Sequence, residues 1–373
     1  MGCAVACGFF FKMKEENKLK LNLEILGLNE EILDKAKEYL TEGYELGRVA
    51  QEHKRLYRLF TEKGDMLAEV SGKMRHLAEE RQDFPAVGDW VVCSIRAEEG
   101  KATIHAVLPR KSKFSRKTAG LTTEEQIVAA NIDTIFLVNA LNLDFNLRRI
   151  ERYLLLSWDS GANPVIILSK ADLCDDVEEK IAELETVAFG VPIHVVSAIN
   201  NEGFEQLSPY LKEGKTIALL GSSGAGKSTI TNWLYGEEIQ RVNDIREGDD
   251  RGKHTTTHRE LIVLPQGGIL IDTPGMRELQ LWNNADGLET SFEDIEELAK
   301  ECFFNDCQHQ NEPGCVVKQA IHDGSLEQSR FDSYKKLQRE LAYLERKNDQ
   351  RAKLAEKEKW KKISQTQKKH YQR

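Results

Sequence analysis

Residues 216–234 have the sequence TIALLGSSGAGKSTITNWL, in which an apolar run leads through a glycine-rich loop into a helical stretch. This is the G-x-x-x-x-G-K-[ST] phosphate-loop pattern in the strand–loop–helix context that it requires. Glycines let backbone N–H groups turn toward phosphate oxygens at the positive end of the helix. We expect Lys227 to reach the β- and γ-phosphates and Ser228 to bind Mg²⁺. The expected nucleotide contacts are Gly221, Ser222, Ser223, Gly224, Ala225, Gly226, Lys227, Ser228 and Thr229.

A second phosphate-sensing motif follows the apolar run 268–272. Asp272-Thr273-Pro274-Gly275 matches the D-x-x-G pattern, in which the aspartate holds Mg²⁺ through water and the glycine N–H meets the γ-phosphate. A strand that ends in a Pro-Gly turn would give the same residues, but the position after a phosphate loop favours the functional interpretation.

The segment between these two motifs resembles a mobile switch loop. Residues 251–257 are polar, bounded by glycine and rich in hydroxyl groups, and we expect Thr256 to close onto Mg²⁺. Met276 stands where many GTPases carry a glutamine that orients the attacking water, so slow intrinsic hydrolysis is expected. His254 is a candidate for that task, and a surface histidine with no role is an equally good explanation.

Guanine-binding motifs lie upstream of the phosphate loop. After an apolar run, residues 169–172 are Ser169-Lys170-Ala171-Asp172, and the Asp172 carboxylate would accept two hydrogen bonds from guanine N1 and N2. Adenine lacks this donor pair, so an unpaired carboxylate would oppose ATP. Ser169 replaces the usual asparagine and puts one contact to the base in doubt. Ser197-Ala198 fits the last guanine-binding element.

This order of motifs is reversed relative to ordinary GTPases, in which the phosphate loop comes first. It predicts a circularly permuted α/β GTP-binding domain over residues 113–285. Its strands are near-continuous apolar runs, which is typical of strands covered on both faces in a mostly parallel sheet. The predicted strands are 134–138, 164–168, 192–196, 216–220 and 268–272.

Residues 46–112 show an alternating pattern that predicts several short strands. The predicted strands include 48–50, 57–60, 66–70 and 90–95, with a turn at 63–65. Five or so strands in about 65 residues suggest a small β-barrel, of which the oligonucleotide-binding (OB) barrel is the commonest form. A generic barrel without a nucleic-acid role is equally compatible. Residues 1–45 form an N-terminal extension with a helical pattern and Asn29 as a helix N-cap.

Residues 286–373 are predicted to form a small helical, zinc-binding domain with a basic tail. Cys302, Cys307, His309 and Cys315 lie within one short segment, and three thiolates with one imidazole suit tetrahedral Zn²⁺. Core packing explains this clustering poorly, whereas a metal would fold a segment too small to fold alone. From Tyr334 onward Lys and Arg outnumber Asp and Glu, which favours an RNA contact over a simple charged helix.

Composition limits the possible partners. The net charge of −9 means that any nucleic-acid surface must be local. No apolar run approaches the roughly 20 residues that span a bilayer, so no membrane partner is expected. The first residues lack an export signal, so we expect a cytoplasmic protein with reduced thiols, in which Cys93 and Cys174 are inert. We also expect a monomer.

The whole pattern resembles the RsgA/YjeQ family of small ribosomal subunit biogenesis GTPases over roughly residues 45–330. The resemblance implies an OB barrel, a permuted GTPase domain with GTP or GDP and Mg²⁺, and one Zn²⁺ per chain. It also implies binding to the small ribosomal subunit and its rRNA, with GTP hydrolysis there. Ser169 and the long N-terminal segment depart from the family and suggest a divergent paralogue. The residues on which this resemblance rests are 85–91, 130–133, 221–228, 252–257, 272–278 and the Cys/His cluster.

Two other functions compete with this one. The loop at 221–229 also looks like that of an ATP-driven transporter subunit, but the chain lacks the L-S-G-G-Q signature and Asp172 would then have no role. A non-catalytic RNA-binding switch that uses GTP only to change its affinity is motivated by Met276.

Overall fold

The computed structural model describes residues 22–53, 56–117, 125–142, 145–236, 260–272, 288, 291–310, 312–343 and 346. The chain divides into two units, Met1–Gln280 and Leu281–Arg373. In the described part of the chain, no helix has the length and apolar character needed to cross a membrane.

A closed barrel of five strands lies near the N-terminus, as predicted. The strand order β1-β2-β3-β5-β4 returns to β1, so the sheet has no free edge within the barrel. The β3–β5 pair is parallel and the other pairs are antiparallel. The predicted turn is displaced, because Thr61 pairs with Gly64 and leaves Glu62 and Lys63 between the strands. The strands are β1 (Glu45–His53), β2 (Leu56–Thr61), β3 (Gly64–Val70), β4 (Trp90–Arg96) and β5 (Lys101–Val107).

Helix α1 (Glu30–Thr41) precedes the barrel and begins where the sequence predicted. The Asn29 side chain accepts a hydrogen bond from the backbone N–H of Ile32, which satisfies one orphan donor of the first turn. Leu23 and Leu26 are buried in the turn before it. This stretch of the predicted extension therefore packs into the first unit. A short helix, α2 (Gly72–Leu77), connects β3 to β4.

The nucleotide-domain sheet has the predicted parallel core. Its order is β10-β9-β8-β11-β13-β12, in which only β12 is antiparallel to its neighbour. Phe136 and Val138 pack with Ile230 of the helix after the phosphate loop, while the alternate residue Leu137 is also buried, so both faces are covered. The strands are β8 (Thr134–Ala140), β9 (Asn163–Ser169), β10 (Ile193–Val195), β11 (Thr216–Gly221), β12 (Glu260–Val263) and β13 (Ile269–Asp272), and the helices are α3 (Leu147–Ser160), α4 (Val177–Glu185) and α5 (Lys227–Tyr235).

Two features of the region between the barrel and the nucleotide sheet were not predicted. A separate antiparallel hairpin, β6 (Lys113–Lys117) and β7 (Glu125–Ala130), follows the barrel. The barrel strand β1 also pairs with β12 through Gln51 and Glu260, so the barrel and the nucleotide sheet are one hydrogen-bonded sheet.

Arg48 of β1 lies at the centre of the contact between the barrel and the nucleotide sheet, and its side chain is 1% exposed. Its guanidinium donates to the backbone carbonyls of Leu26, Gly88 and Asn131, and to Thr216 Oγ1 at 2.8 Å. Burial lowers the pKa of Arg48 to about 10, so it remains charged at neutral pH. We call these five residues the Arg48 seam.

Gly88 is required at this seam by a close backbone approach. Its φ is +92°, and a Cβ there would lie 2.2 Å from the carbonyl oxygen of Ala130. The Asn131 side chain donates to the Gly88 carbonyl at 3.1 Å. Two of the segments that carry the family resemblance, 85–91 and 130–133, therefore meet each other.

The second unit is helical, as predicted. Its helices are α6 (Glu293–Lys300), α7 (Val316–Asp323) and a helical stretch at 328–343. Phe292, Ile295 and Val317 are fully buried in its core. The buried Arg330 guanidinium makes two hydrogen bonds of 2.7 Å to Asp294 and so fastens the last helical stretch to α6.

Candidate nucleotide and metal sites

The phosphate-loop segment has the strand–loop–helix arrangement that its sequence predicts. Strand β11 ends at Gly221 and helix α5 begins at Lys227. Gly226 has a φ of +88°, which an L residue rarely adopts, and it turns the chain into the helix. The Lys227 ammonium donates to the carbonyls of Gly221 at 2.8 Å and Ser222 at 2.6 Å. The lysine therefore lies over the loop that would hold the phosphates.

The two motifs that are predicted to bind guanine meet near the end of β9. Ser197 Oγ donates to Asp172 Oδ1 at 2.6 Å, and the N–H of Asn200 donates to Ser197 Oγ at 3.2 Å. Lys170 takes up a left-handed conformation with a φ of +59°, which turns the chain sharply between the strand and Asp172. Ala198 is exposed next to this contact. The second carboxylate oxygen of Asp172 would be the acceptor for the predicted hydrogen bonds to a base.

Ser169, which begins the motif predicted to bind guanine, contacts the phosphate loop. Its hydroxyl donates to the carbonyl of Ala225 at 2.6 Å, and the Asn139 carbonyl lies at 3.4 Å. The side chain is buried, with 4% exposed. The sequence identified Ser169 as a departure from the family but did not predict this contact, because the partners are far apart in the chain.

Asp272 lies at the same edge of the sheet as the phosphate loop. It ends β13, which pairs in parallel with β11, and carboxyl ends of parallel strands meet at one edge. Asp272 and Ser228 are therefore placed for a shared Mg²⁺, which remains a prediction. The predictions for Thr256, His254, Gly275 and Met276, and for the tail beyond residue 346, lie outside the described residues.

The predicted zinc ligands come together between α6 and α7. One donor atom from each of Cys302, Cys307, His309 and Cys315 lies within 4.8 Å of the others. Sγ of Cys302 is 3.9 Å from Sγ of Cys315, and His309 Nδ1 lies 3.7 Å and 3.4 Å from these two sulfurs. Tetrahedral Zn²⁺ requires about 3.8 Å between two sulfurs and about 3.6 Å between sulfur and nitrogen. The donor set thus fits Zn²⁺ in both chemistry and spacing.

The surroundings of this cluster act differently on two of its thiols, Cys302 and Cys315. Cys315 is the N-cap of α7, where its sulfur accepts the N–H of Lys318 at 3.5 Å. Burial by itself would raise the pKa of Cys302, but N–H groups of Val317 and Val316 lower it below its usual value. Phe331 places its ring at 6.1 Å from the His309 ring, nearly perpendicular to it. Burial raises the pKa of the Cys315 thiol to about 11, so within this partly enclosed cluster the protein alone favours the thiolate at Cys302 and not at Cys315.

Comparison with known proteins identifies relatives of the whole chain. The "RsgA GTPase" family profile matches residues 107–282, and an "ABC transporter" profile matches residues 204–372. "Small ribosomal subunit biogenesis GTPase RsgA 1" of Oceanobacillus iheyensis is 50% identical over 87% of this chain and 93% of its own length. A protein from Opitutus terrae, "Small ribosomal subunit biogenesis GTPase RsgA", is 44% identical over 93% of this chain and 97% of its own length.

Solved structures agree with these relatives. The crystal structure of YjeQ from Thermotoga maritima superposes with a TM-score of 0.60 and 30% identity, covering 80% of this chain and 99% of that one. YloQ, described as a circularly permuted GTPase, superposes with a TM-score of 0.59 at 24% identity, which supports the permuted fold. The transporter interpretation is not favoured, because the relatives named RsgA match nearly the full chain. This chain belongs to the RsgA GTPase family.

Proposed function

We propose that this chain hydrolyses GTP in order to complete the maturation of the small ribosomal subunit. The observation that carries the proposal is the joining of the guanine-binding turn to the phosphate loop. Ser169 contacts Ala225 and Ser197 contacts Asp172, so the groups proposed for the two ends of a guanine nucleotide are fixed relative to each other. Many relatives carry a name that states this role.

The phosphates are held by the loop and its lysine. Lys227 exchanges its carbonyl partners in the loop for β- and γ-phosphate oxygens, and the loop N–H groups complete the binding site. Ser228, Thr256 and, through water, Asp272 would hold Mg²⁺, which would supply positive charge against the β- and γ-phosphates. Lys227 stabilises the charge that spreads over the γ-phosphate as water attacks in line. His254 is the proposed group that accepts the proton of this water.

Guanine is selected by hydrogen bonding to Asp172. The carboxylate accepts from guanine N1–H and N2–H, and adenine has no such pair of donors. Ser197 holds the carboxylate in place, because its hydroxyl donates to Oδ1. If ATP were bound, adenine would cover Asp172 without donating either hydrogen bond. The buried, unpaired carboxylate therefore disfavours ATP.

Zinc has a structural role in this proposal. Cys302, Cys307, His309 and Cys315 hold one Zn²⁺ that fixes the segment between α6 and α7. No open coordination position is needed for catalysis, because the nucleotide chemistry takes place at the phosphate loop.

The partner is the small ribosomal subunit, contacted through its rRNA by a monomeric protein in the cytoplasm. The barrel, the second unit and the basic tail supply the RNA-binding groups. Contacts to phosphates release counterions, so the affinity should fall by roughly 0.7 to 0.9 log units per log unit of salt for each contact. An affinity that is insensitive to salt would contradict the RNA contact.

Phosphate release from GTP with and without purified small subunits tests the function. Subunits should stimulate turnover, and Lys227→Ala should lower stimulated turnover at least about a hundredfold. Lys212→Ala is the matched control, because this exposed lysine precedes β11 at the opposite end from the loop. Nucleotide-dependent subunit binding without stimulated phosphate release would instead support the non-catalytic switch.

A further inference from the structure

We propose that Ser169 positions the phosphate loop and makes no contact with the purine base, so that the N7 edge of guanine is not recognised from this position. This inference rests on the proposed GTP binding and concerns how the base is selected. It assigns a specific role to the residue at which this chain departs from the family pattern.

The hydroxyl proton of Ser169 is already used inside the protein. A serine hydroxyl has one donor proton. At 2.6 Å the Ala225 carbonyl is a short and strong acceptor for it, and the Asn139 carbonyl at 3.4 Å is a second acceptor. Both neighbours are carbonyl acceptors. The single proton of Ser169 is therefore shared between them and is not available to donate to a ligand.

The surroundings of Ser169 also keep it away from a base. Its side chain is only 4% exposed, and a Cβ at Gly226 would lie 3.3 Å from its oxygen. The neighbouring Asn139 is fully buried, and its amide nitrogen donates to the Leu137 carbonyl at 3.3 Å, so Asn139 does not reach the base either. The Ser169 hydroxyl therefore lies beneath the phosphate loop, between β8, β9 and the start of α5.

Together with the hydrogen-bonding groups of guanine, this geometry predicts which edge of the base is recognised. N7 and O6 of guanine are acceptors and must be read by donors, whereas N1–H and N2–H are donors and are read by Asp172. If position 169 supplies no donor, selection rests on the edge that carries N1 and N2. The protein should then tolerate a change at N7 but not the loss of the N2 amine.

Binding of three nucleotides to the full-length protein tests this by calorimetry with Mg²⁺. The probes are GDP, 7-deaza-GDP, which lacks the N7 acceptor, and IDP, which lacks the N2 amine. We expect 7-deaza-GDP to bind within about twofold of GDP, and IDP to bind about tenfold or more weakly. This comparison uses the unaltered chain, so it does not depend on the folding of a variant.

Variants at position 169 separate positioning from base contact. Ser169→Ala should weaken GDP and 7-deaza-GDP by the same factor, about five- to tenfold, because the loss of the Ala225 bond loosens the loop for both. Ser169→Asn has an amide with two donors, one of which is free to reach N7, and should bind GDP at least about fivefold more tightly than 7-deaza-GDP. Ser208→Ala, at an exposed serine, is the control and should change neither affinity.

The outcomes distinguish this inference from the proposed function. A wild-type protein that binds 7-deaza-GDP more than fivefold weaker than GDP overturns the inference, as does a Ser169→Ala variant that removes such a difference. A wild-type protein that binds no GDP at all contradicts the proposed function instead.

Discussion

At the scale of single residues, the sequence identified the groups with a distinctive chemical pattern. Lys227, Asp172 and the four predicted zinc ligands occur in motifs whose spacing follows from the chemistry, and the structure brings those four side chains together. The contact of Ser169 with Ala225 could not be predicted in this way. It joins residues on β9 and in the phosphate loop, and it depends on the approach of two strand ends that only the folded sheet defines.

The role assigned to Asp172 leads to a prediction about base specificity. Asp172→Asn replaces a pure acceptor by an amide that can donate, so guanine N1–H loses its partner while the C2 oxygen of xanthine gains a donor. GDP should bind at least about a hundredfold more weakly, and XDP should bind more tightly than to the wild type. Binding of both nucleotides checks this; the Asn variant can still accept from Ser197, so the turn should remain folded. Unchanged preference for GDP would remove Asp172 from the base site.

At the scale of elements, near-continuous apolar strands were the most predictable. Strands β8, β9 and β11 appear as unbroken runs such as Thr134-Ile135-Phe136-Leu137-Val138, because both of their faces are covered. The hairpin β6–β7 was not predicted, because Lys113, Arg116 and Lys117 give β6 the composition of a solvated loop, although its partner strand β7 is largely buried. The pairing of β1 with β12 gave no signal either, because it joins segments that are distant in sequence.

The segment between α6 and α7 depends on its metal ligands. Within residues 301–310 and 312–315 the structure has no helix or strand, so removal of zinc should unfold this segment and lower the thermal stability of the second unit. Cys307→Ser should reduce the zinc content, measured by atomic absorption, from about one per chain to well below one half. Cys174→Ser is the control, because this thiol lies outside the cluster. A Cys307→Ser protein with full zinc content would contradict the assigned ligand set.

At the scale of the whole molecule, the order of the motifs in the sequence predicted the permuted domain and its parallel sheet. It did not predict how the barrel joins that sheet. The join is made by Arg48, an arginine in an alternating strand that looks like any exposed residue in the sequence, and by Gly88 and Asn131. Apart from the bond from Arg48 to Thr216 Oγ1, the acceptors in these contacts are backbone carbonyls, so side-chain patterns contain almost no information about them.

The Arg48 seam also predicts a link between the barrel and the nucleotide site. Arg48 binds Thr216, the first residue of β11, and Gly221 at the other end of this strand opens the phosphate loop, about 16 Å away. Arg48→Met leaves buried carbonyls without donors, so it should cost about 3 to 5 kcal/mol in the free energy of unfolding of the first unit. Arg96→Met, at an exposed arginine, should cost less than about 0.5 kcal/mol.

Denaturant unfolding measures the loss of stability in Arg48→Met, and hydrogen exchange of the backbone amides of β1 and β11 shows where it occurs. The amides of both strands should lose protection together in Arg48→Met, because one guanidinium holds both strands. GDP should also bind several-fold more weakly, although Arg48 lies at the end of β11 away from the phosphate loop, since a strand that is loose at its start cannot fix the loop at its end. Loss of protection confined to β1, with unchanged GDP affinity, would mean that the barrel is attached to the nucleotide domain without controlling it.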